Sequence, residues 1–361
     1  MFSFDLRTLA DLSGPDRAFL SIYLKNEDDK GLLASRFKEI RAFLSDQPTE
    51  LEHFEENLKL VQPLLDQPFS GKSRVLFVCW ALDYTQSHDL PLEISTLVRV
   101  DSSPYVRPLA ELQDEHEQFA VVVADNKGAS VYLVSAGDME REKRVRGDIK
   151  NSVKKGGWSQ KRYARRRDKE LERYATRVAE QLKGLHDESP FERLILLGQE
   201  EAMAAVEHAL SNPMRERIVG HKSINVTDEE QVAEEAAVDL YFEEERAEEQ
   251  RLWNEIKAGY LSGGLGVAGP SRTLDAAKTG RVEEILVTRD VKIKGVRCRA
   301  CEDLAHGTPD TCYVCGSSDL FTVDLVNELV ELAAQTSAHV EFADAFEGLT
   351  EVGGVAALLR Y

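Results

Sequence analysis

Residues 154–167 read Lys154-Lys155-Gly156-Gly157-Trp158-Ser159-Gln160-Lys161-Arg162-Tyr163-Ala164-Arg165-Arg166-Arg167, a diglycine that leads directly into a basic segment. Two adjacent glycines can adopt backbone angles that are closed to other residues, and they let another molecule approach the main chain closely. The flanking guanidinium and ammonium groups can neutralise phosphates. The stretch therefore predicts a loop that meets RNA, followed by a basic helix.

Apolar residues recur at helical spacing after the diglycine, as Tyr163, Leu171, Tyr174 and Val178 illustrate. Arginine and lysine occupy the other faces, which predicts an amphipathic helix of about 25 residues whose first turns are its most basic. We interpret the basic residues of the loop and of these turns as RNA-binding, namely Lys154, Lys155, Lys161, Arg162, Arg165, Arg166 and Arg167. The alternative for such a cluster is a solvated helix face with its counter-charges nearby.

Charge is distributed unevenly along the 361 residues, although the formal net charge of −19 would by itself disfavour nucleic acid. Residues 143–169 contain 12 basic and two acidic residues, whereas residues 228–249 contain 11 acidic residues and one basic residue. The charge of a local surface patch, more than the net charge, decides which molecules a protein contacts. An acidic body with one basic projection suits a protein that touches RNA at one end.

The sequence also indicates a cellular compartment. No apolar run approaches the length needed to span a bilayer, and the first residues lack the basic start and apolar core of a signal peptide. We expect a cytoplasmic protein without a membrane partner. Five cysteines, four of them clustered in pairs, fit a reduced compartment with a metal site better than a disulfide framework.

Strands and helices alternate along the chain, which predicts an α/β fold of mixed α+β character in three domains. Residues 1–118 are expected to form an N-terminal mixed α/β domain. Residues 119–240 are expected to form a middle domain that carries the diglycine loop and the basic helix. Residues 241–361 are expected to form a C-terminal α/β domain with zinc knuckles. The middle and C-terminal domains are predicted to be α/β sandwiches.

Two Cys-x-x-Cys pairs, Cys298 with Cys301 and Cys312 with Cys315, supply four soft thiolates. Each pair on a tight turn can bring two sulfurs to one ion, as tetrahedral zinc requires. A closed shell of four cysteines leaves no coordination position for water, so the predicted zinc is structural. The alternative is a set of four unliganded thiols. The eight histidines, His306 and His339 among them, are scattered and are interpreted mostly as ordinary surface or core residues.

These features together resemble the class I release factor and Pelota family of archaea and eukaryotes, and more closely that family's bacterial relatives. The middle domain of release factors carries Gly-Gly-Gln-Ser, followed by a basic helix of the pattern Arg-Phe-Ala-Arg-x-Arg. Gly156-Gly157-Trp158-Ser159 and Arg162-Tyr163-Ala164-Arg165-Arg166-Arg167 match that register without a gap. The third domain matches independently, over Leu274 to Val287 and in the ending Gly353 to Tyr361.

The resemblance implies that the protein enters the ribosomal A site in the manner of a tRNA and inserts its diglycine loop into the peptidyl-transferase centre. Water would hydrolyse the ester of peptidyl-tRNA there, so the implied partners are the ribosome, its rRNA and peptidyl-tRNA. In the family, a backbone N–H of the glutamine stabilises the developing oxyanion, a role that does not depend on side-chain identity. The implied catalytic residues are Gly156, Gly157, Trp158 and Gln160. A monomer is expected.

The sequence departs from the family pattern at two places. Trp158 occupies the glutamine position, and Gln160 follows two residues later. Either the backbone N–H of Trp158 serves, or the loop bulges so that Gln160 reaches the ester, or the indole stacks on an rRNA base and only plugs the centre. Stop-codon readers of the family carry an Asn-Ile-Lys-Ser loop, which the comparable residues 33–38 lack. Action that does not depend on a codon fits better.

Three hypotheses follow. The first is a ribosome-dependent peptidyl-tRNA hydrolase that rescues stalled ribosomes. The second is a non-catalytic factor of the Pelota or hibernation type, which occupies the A site and recruits a translational GTPase. The third, ranked below both, is a zinc-containing RNA adaptor unrelated to the ribosome.

Overall fold

The computed structural model describes residues 5–125, 128–135, 138–146, 158–225 and 230–361, with the backbone alone at 138–146, 158–166 and 230. The chain divides into two compact units. One is His116–Glu248, and the other combines the residues up to Glu115 with Glu249–Tyr361. The division into three domains at residues 118 and 240 stays a prediction. Among the described helices, none combines the length and the apolar composition that crossing a membrane requires.

The first segment of the larger unit is a four-stranded antiparallel sheet with two helices packed on one face. Its elements are α1 (Leu6–Ala10), β1 (Phe19–Leu24), α2 (Lys30–Phe43), α3 (Pro48–Leu65), β2 (Ser73–Cys79), β3 (Tyr84–Leu90), β4 (Leu97–Asp101) and α4 (Arg107–Glu115). The strand order is β3-β2-β1-β4. All six residues of β1 and all seven of β2 are buried, and apolar side chains of α2 and α3 cover one face of the sheet.

The smaller unit is a five-stranded mixed sheet between helices. Its elements are β5 (Phe119–Ala124), β6 (Gly128–Ser135), β7 (Asp138–Arg146), α5 (Trp158–Glu188), β8 (Arg193–Gly198), α6 (Glu200–Ala209), α7 (Asn212–Arg215), β9 (Ile218–Ser223) and the first turns of α8 (Glu230–Ser262). The strand order is β7-β6-β5-β8-β9, in which β5, β8 and β9 are parallel. Leu171, Tyr174 and Val178 of α5 pack on one face, and Ala237 and Tyr241 of α8 pack on the other. The predicted α/β sandwich is confirmed.

The second segment of the larger unit contains two further sheets. Its elements are β10 (Gly266–Ala268), α9 (Pro270–Lys278), β11 (Val282–Thr288), β12 (Lys294–Cys298), β13 (Leu304–His306), β14 (Leu320–Asp324), α10 (Leu325–Thr336), β15 (His339–Ala343), α11 (Glu347–Glu351) and β16 (Val355–Leu359). The four-stranded sheet has the order β10-β16-β11-β15, and the three-stranded sheet has the order β13-β12-β14. Leu252 and Ile256 near the end of α8 pack against Leu286 and Ala356 of the larger sheet.

The diglycine near the end of the chain forms the turn into β16. Gly353 and Gly354 have φ angles of 95° and 78°, which other residues rarely adopt. A Cβ on Gly354 would lie 2.8 Å from the Val291 side chain, and one on Gly353 would lie 2.9 Å from the Pro270 ring. This part of the terminal sequence match therefore has a structural cause.

Polar side chains of α10 join the two segments of the larger unit. The side-chain oxygen of Asn327 accepts hydrogen bonds from the backbone N–H groups of Val106 and Arg107, at 2.8 and 3.0 Å. The Glu331 carboxylate accepts one from the Ser103 hydroxyl at 2.7 Å and one from the Asn327 amide at 2.6 Å. Asn327 and Glu331 are both buried. These bonds satisfy the buried groups and fix how the segments pack.

Three acidic groups beside this contact ionise less readily than usual. Burial raises the pKa of Glu331 well above its usual range, and the neighbouring Glu328 charge raises it further. Burial raises the pKa of Glu328 to about 7 and that of Asp101 to about 6, although Arg297 opposes both increases. The folded chain therefore keeps protons that the unfolded chain has released. The stability that depends on these protons is fully present below about pH 4.5 and is lost as the pH rises through 7.

Replacing Glu331 with glutamine is expected to stabilise the protein at pH 8 by at least about 1 kcal/mol, because folding no longer has to restore a proton to this site. At pH 5 the two proteins should unfold at similar denaturant concentrations. Denaturant unfolding of both at the two pH values measures the difference. Glu331→Ala is the control, since it leaves Ser103 and Asn327 without an acceptor and should destabilise at both pH values. An equal loss of stability for Glu331→Gln at both pH values would contradict the conclusion that Glu331 keeps a proton in the folded protein.

Candidate functional site

The basic helix is longer than predicted. It is α5, which begins at Trp158 and runs for 31 residues to Glu188, against about 25 expected. Lys154, Lys155, Gly156 and Gly157 lie outside the described residues. The backbone of Trp158, Gln160, Lys161, Arg162, Arg165 and Arg166 belongs to the first turns of α5. The helix therefore starts immediately after the diglycine, which is the arrangement that the sequence predicts.

The register of α5 divides its basic positions between the side of the helix that faces away from the core and the side that faces the core. Tyr174, Val178 and Leu182 form part of the buried stripe, whereas Lys169 and Arg173 are exposed. At 100° per residue, positions 162 and 166 fall in the same sector as 169 and 173, opposite the buried stripe. A continuous row of basic positions, 162, 166, 169 and 173, therefore lies on the side of α5 that faces away from the core.

Arg167 differs from the other predicted RNA-binding residues, because its position falls on the core side of the helix. Its guanidinium forms an ion pair with the Glu201 carboxylate at the start of α6, and its side chain is 30% exposed. An RNA contact by Arg167 would compete with this ion pair. The RNA-binding role of Arg167 stays a prediction.

The start of α5 carries an unfavourable charge for a helix. The first turn of α5 contains no acidic residue, whereas α6 begins with Glu200 and Glu201. Positive charge near a helix N-terminus opposes the helix dipole, at about 0.3–1 kcal/mol for each charge. The first N–H groups of a helix have no partners within the helix, and they attract anions. Phosphate groups placed at this end would relieve the repulsion among the cations and accept hydrogen bonds from N–H groups of the first turn.

The four cysteines of the two Cys-x-x-Cys pairs meet in space. All four sulfurs lie within 4.8 Å of one another. Cys298 Sγ is 3.5 Å from Cys315 Sγ, and Cys301 Sγ is 3.6 Å from Cys312 Sγ. Four sulfurs bound tetrahedrally at about 2.3 Å from a zinc ion would be separated by about 3.8 Å. The spacing therefore fits one tetrahedral ion, and the donor set suits zinc.

The two pairs are built alike. In each pair the residue after the second cysteine has a positive φ angle, 61° at Glu302 and 74° at Gly316. The N–H of that residue donates to the carbonyl oxygen of the first cysteine, at 2.8 Å to Cys298 and 3.0 Å to Cys312. Hydrogen bonds from the backbone N–H groups of Cys315 and Val314 lower the pKa of the Cys312 thiol to about 7. A hydrogen bond from the backbone N–H of Asp303 lowers the pKa of Cys301, but hydrogen bonds with the other cysteines outweigh it and raise that pKa to about 12. Metal binding would therefore release protons from the cluster.

His306 stands apart from the cysteine cluster, as the sequence suggested. Its Nδ1 atom lies 3.0 Å from the Ser271 hydroxyl oxygen. The group of potential metal ligands around the sulfurs contains the four cysteines only, within the described ranges. A closed shell of four sulfurs leaves no position for a reacting water molecule.

Comparison with known proteins gives one family and several relatives. Residues 104–240 match the family described as Bacterial archaeo-eukaryotic release factor family 10. The chain is 27% identical over 214 residues to Peptide chain release factor subunit 1 of Methanopyrus kandleri, covering 57% of this chain and 52% of that protein. It is 24% identical over 303 residues to the protein of the same name from Thermococcus onnurineus, covering 75% and 72%. The chain thus spans about half the length of the first relative.

The solved structures that resemble the chain include two translation factors. An archaeal translation termination factor is 15% identical, with 99% of this chain and 96% of that chain covered and a TM-score of 0.27. Dom34 of S. cerevisiae, described as a translation termination-like factor, is 11% identical, with 80% and 79% covered and a TM-score of 0.46. The sequence relatives and the matched family confirm the resemblance found in the motifs. The chain is therefore related to the archaeal and eukaryotic release factors, and its residues 104–240 match a family of their bacterial relatives.

Proposed function

We propose that the protein binds the ribosomal A site and promotes hydrolysis of peptidyl-tRNA without reading a stop codon, as a release or rescue factor. The observation that carries this proposal is the start of α5 at Trp158, directly after Gly156 and Gly157, with a basic row on its outer side. The relatives are named peptide chain release factors. The ribosome, its rRNA and peptidyl-tRNA are the proposed partners, in the cytoplasm, and the protein is proposed to act as a monomer.

The proposed ester hydrolysis depends on a backbone group more than on side chains. The oxygen of water attacks the carbonyl carbon of the ester, the carbonyl oxygen takes the negative charge, and the bond to the ribose oxygen breaks. The ribose oxygen takes a proton, which leaves a free peptide and a deacylated tRNA. A backbone N–H aimed at the developing oxyanion stabilises this path. The first N–H groups of a helix lack partners within it, so the N–H of Trp158 suits this role by its position.

The two glycines and the basic row have supporting roles in this proposal. Gly156 and Gly157 allow the main chain to approach the ester closely, because they carry no Cβ. Arg162, Arg165 and Arg166 neutralise rRNA phosphates and hold the loop in the centre, together with Lys154, Lys155 and Lys161. Gln160 lies in the same turn and is the second candidate for contact with the ester. The four cysteines are proposed to hold a structural zinc ion.

One departure from the release-factor pattern favours a second function. Trp158 stands where release factors carry glutamine, and an indole can stack on an rRNA base. The second candidate is therefore a factor that occupies the A site without hydrolysis and is delivered by a translational GTPase. Substitutions at position 158 separate the two functions.

Trp158→Pro is expected to abolish peptide release, whereas Trp158→Ala should retain most of it. Proline is tolerated at the first position of a helix but has no N–H, so it removes the proposed oxyanion donor without breaking α5. The loss of one such donor lowers the rate about 10²–10³-fold. The assay incubates each protein with ribosomes that carry labelled peptidyl-tRNA and measures the freed peptide.

Binding is measured on the same samples by co-sedimentation with ribosomes. Both variants should sediment, because the basic row is intact. Equal release by Trp158→Pro and the unmodified protein would refute the backbone donor. Tight binding without any release by the unmodified protein would overturn the hydrolytic proposal and favour occupation of the site, and weaker sedimentation of Trp158→Ala would then indicate stacking.

A further inference from the structure

Three potential metal ligands from distant parts of the sequence meet at the edge of the C-terminal sheet. His339 and Glu341 are two residues apart on β15, so they lie on the same face of that strand. Asp114, near the end of α4, joins them, because α4 packs against β15. The histidine nitrogen and the carboxylate oxygens of these three residues all lie within 4.8 Å of one another.

The distance between the ligand atoms of His339 and Glu341 suits a bound metal ion. His339 Nε2 is 3.4 Å from Glu341 Oε2. Nitrogen and oxygen ligands at about 2.1 Å from a tetrahedral zinc ion are separated by about 3.4 Å. All three residues belong to the same compact unit, so their spacing is fixed by one folded body.

Carboxylate groups surround His339. The side chains of Asp114 and Glu341 are only 9% and 13% exposed. Glu284 lies directly across from His339 on the neighbouring strand β11 and adds a third carboxylate. Arg289 donates a hydrogen bond to Asp114 at 3.2 Å. One imidazole nitrogen and two partly buried carboxylate oxygens form a donor set that zinc accepts, and the negative charge of the carboxylates favours a cation between them.

We propose that Asp114, His339 and Glu341 bind a divalent transition-metal ion such as zinc, through one nitrogen and two carboxylate oxygens. The His339 side chain is 65% exposed, so the remaining coordination position opens to solvent and takes water. Three protein ligands and one water distinguish this site from the closed shell of four cysteines. The ion would join α4 in the first segment of the larger unit to β15 in the second. Sequence reasoning interpreted His339 as ordinary, because its partner Asp114 lies 225 positions earlier.

Cobalt(II) is the probe, added to the full chain after the cysteine cluster has been saturated with one equivalent of zinc. We expect a second ion to bind with micromolar affinity and to give visible absorption bands without the near-ultraviolet charge-transfer band of a thiolate ligand. The absence of that band separates this site from exchange into the cysteine cluster. Isothermal titration of the same protein with cobalt gives the stoichiometry.

His339→Ala and Glu341→Gln should each weaken this binding at least tenfold, and circular dichroism of each variant should match that of the unmodified protein. His221→Ala is the matched control. His221 is a surface histidine 3.2 Å from Glu207, and that pair belongs to no group of three potential ligands among the described residues. Its substitution should leave the second ion in place. Binding of only the first ion, or a second ion that His339→Ala does not affect, would overturn the proposal.

Discussion

The double substitution Cys298→Ser and Cys312→Ser is expected to eliminate metal binding at the cysteine cluster. It should also lower the melting temperature of the protein by more than about 10 °C. Cys298 and Cys312 are the two buried members of the cluster. A structural zinc ion contributes about 10–16 kcal/mol to the folding of small zinc modules. The sheet that carries the cluster is small, because β13 has three residues and β12 and β14 have five each.

The loss of stability should also affect interactions outside the cluster. Arg299, between the cysteines of the first pair, forms ion pairs with Asp16 at 2.8 Å and with Glu50 at 2.5 Å. Arg297, beside Cys298, forms an ion pair with the buried Glu328. Loss of the ion would free the backbone that positions both arginines. Glu328 would then be a buried acidic group without its guanidinium partner, and buried Glu50 would keep only its ion pair with Arg17, both of which are destabilising.

Metal analysis and thermal unfolding of the same preparations test this expectation. Unmodified protein should contain one zinc per chain at this cluster, and the double variant should contain none there. Cys79→Ala is the control, because Cys79 is a free buried cysteine of β2 and lies outside the cluster. It should keep the metal content unchanged. A double variant that retains its zinc or its melting temperature would show that the cluster is not a metal site.

Continuous apolar runs reveal buried strands in the sequence. β1, β5 and β8 are almost wholly buried, and their continuous apolar runs identify them as strands. β3, β7 and β9 carry no such run, and each is an edge strand. The sequence of β7 is Asp-Met-Glu-Arg-Glu-Lys-Arg-Val-Arg, and β9 ends in three exposed residues. An edge strand avoids unwanted pairing by carrying charged and polar residues, so it lacks the apolar pattern that would reveal it.

Sites made from neighbouring residues were predictable, whereas sites made from distant ones were not. The spacing of each cysteine pair is local, and it indicated the cluster that the structure contains. The group of Asp114, His339 and Glu341 depends on packing between α4 and β15, which no local pattern encodes. The position of Arg167 was only partly predictable from the sequence. Its helical position could have indicated the core side of α5, but the length of the basic run obscured the difference between Arg167 and Arg166.

Reversing the charges of Arg162 and Arg166 is expected to weaken ribosome binding about 100-fold or more at moderate salt. Both positions lie in the basic row of α5, opposite its buried stripe, so the change should not disturb the core. Each phosphate contact that is lost also lowers the slope of log affinity against log salt concentration by about one. Co-sedimentation with ribosomes across a salt series measures both quantities. Release of labelled peptide should fall in parallel with binding when the protein is not saturating.

The control for this variant must lose the same charge elsewhere, because the net charge of −19 already repels RNA at long range. Lys183→Glu with Lys257→Glu does so, since Lys183 is exposed near the end of α5 and Lys257 is exposed on α8. Position 183 lies about 32 Å along the helix from position 162. If the basic row of α5 is the RNA contact, the control keeps its affinity and its salt slope. Equal weakening by both variants would mean that the total charge governs binding, and that the first turns of α5 do not enter an RNA cavity.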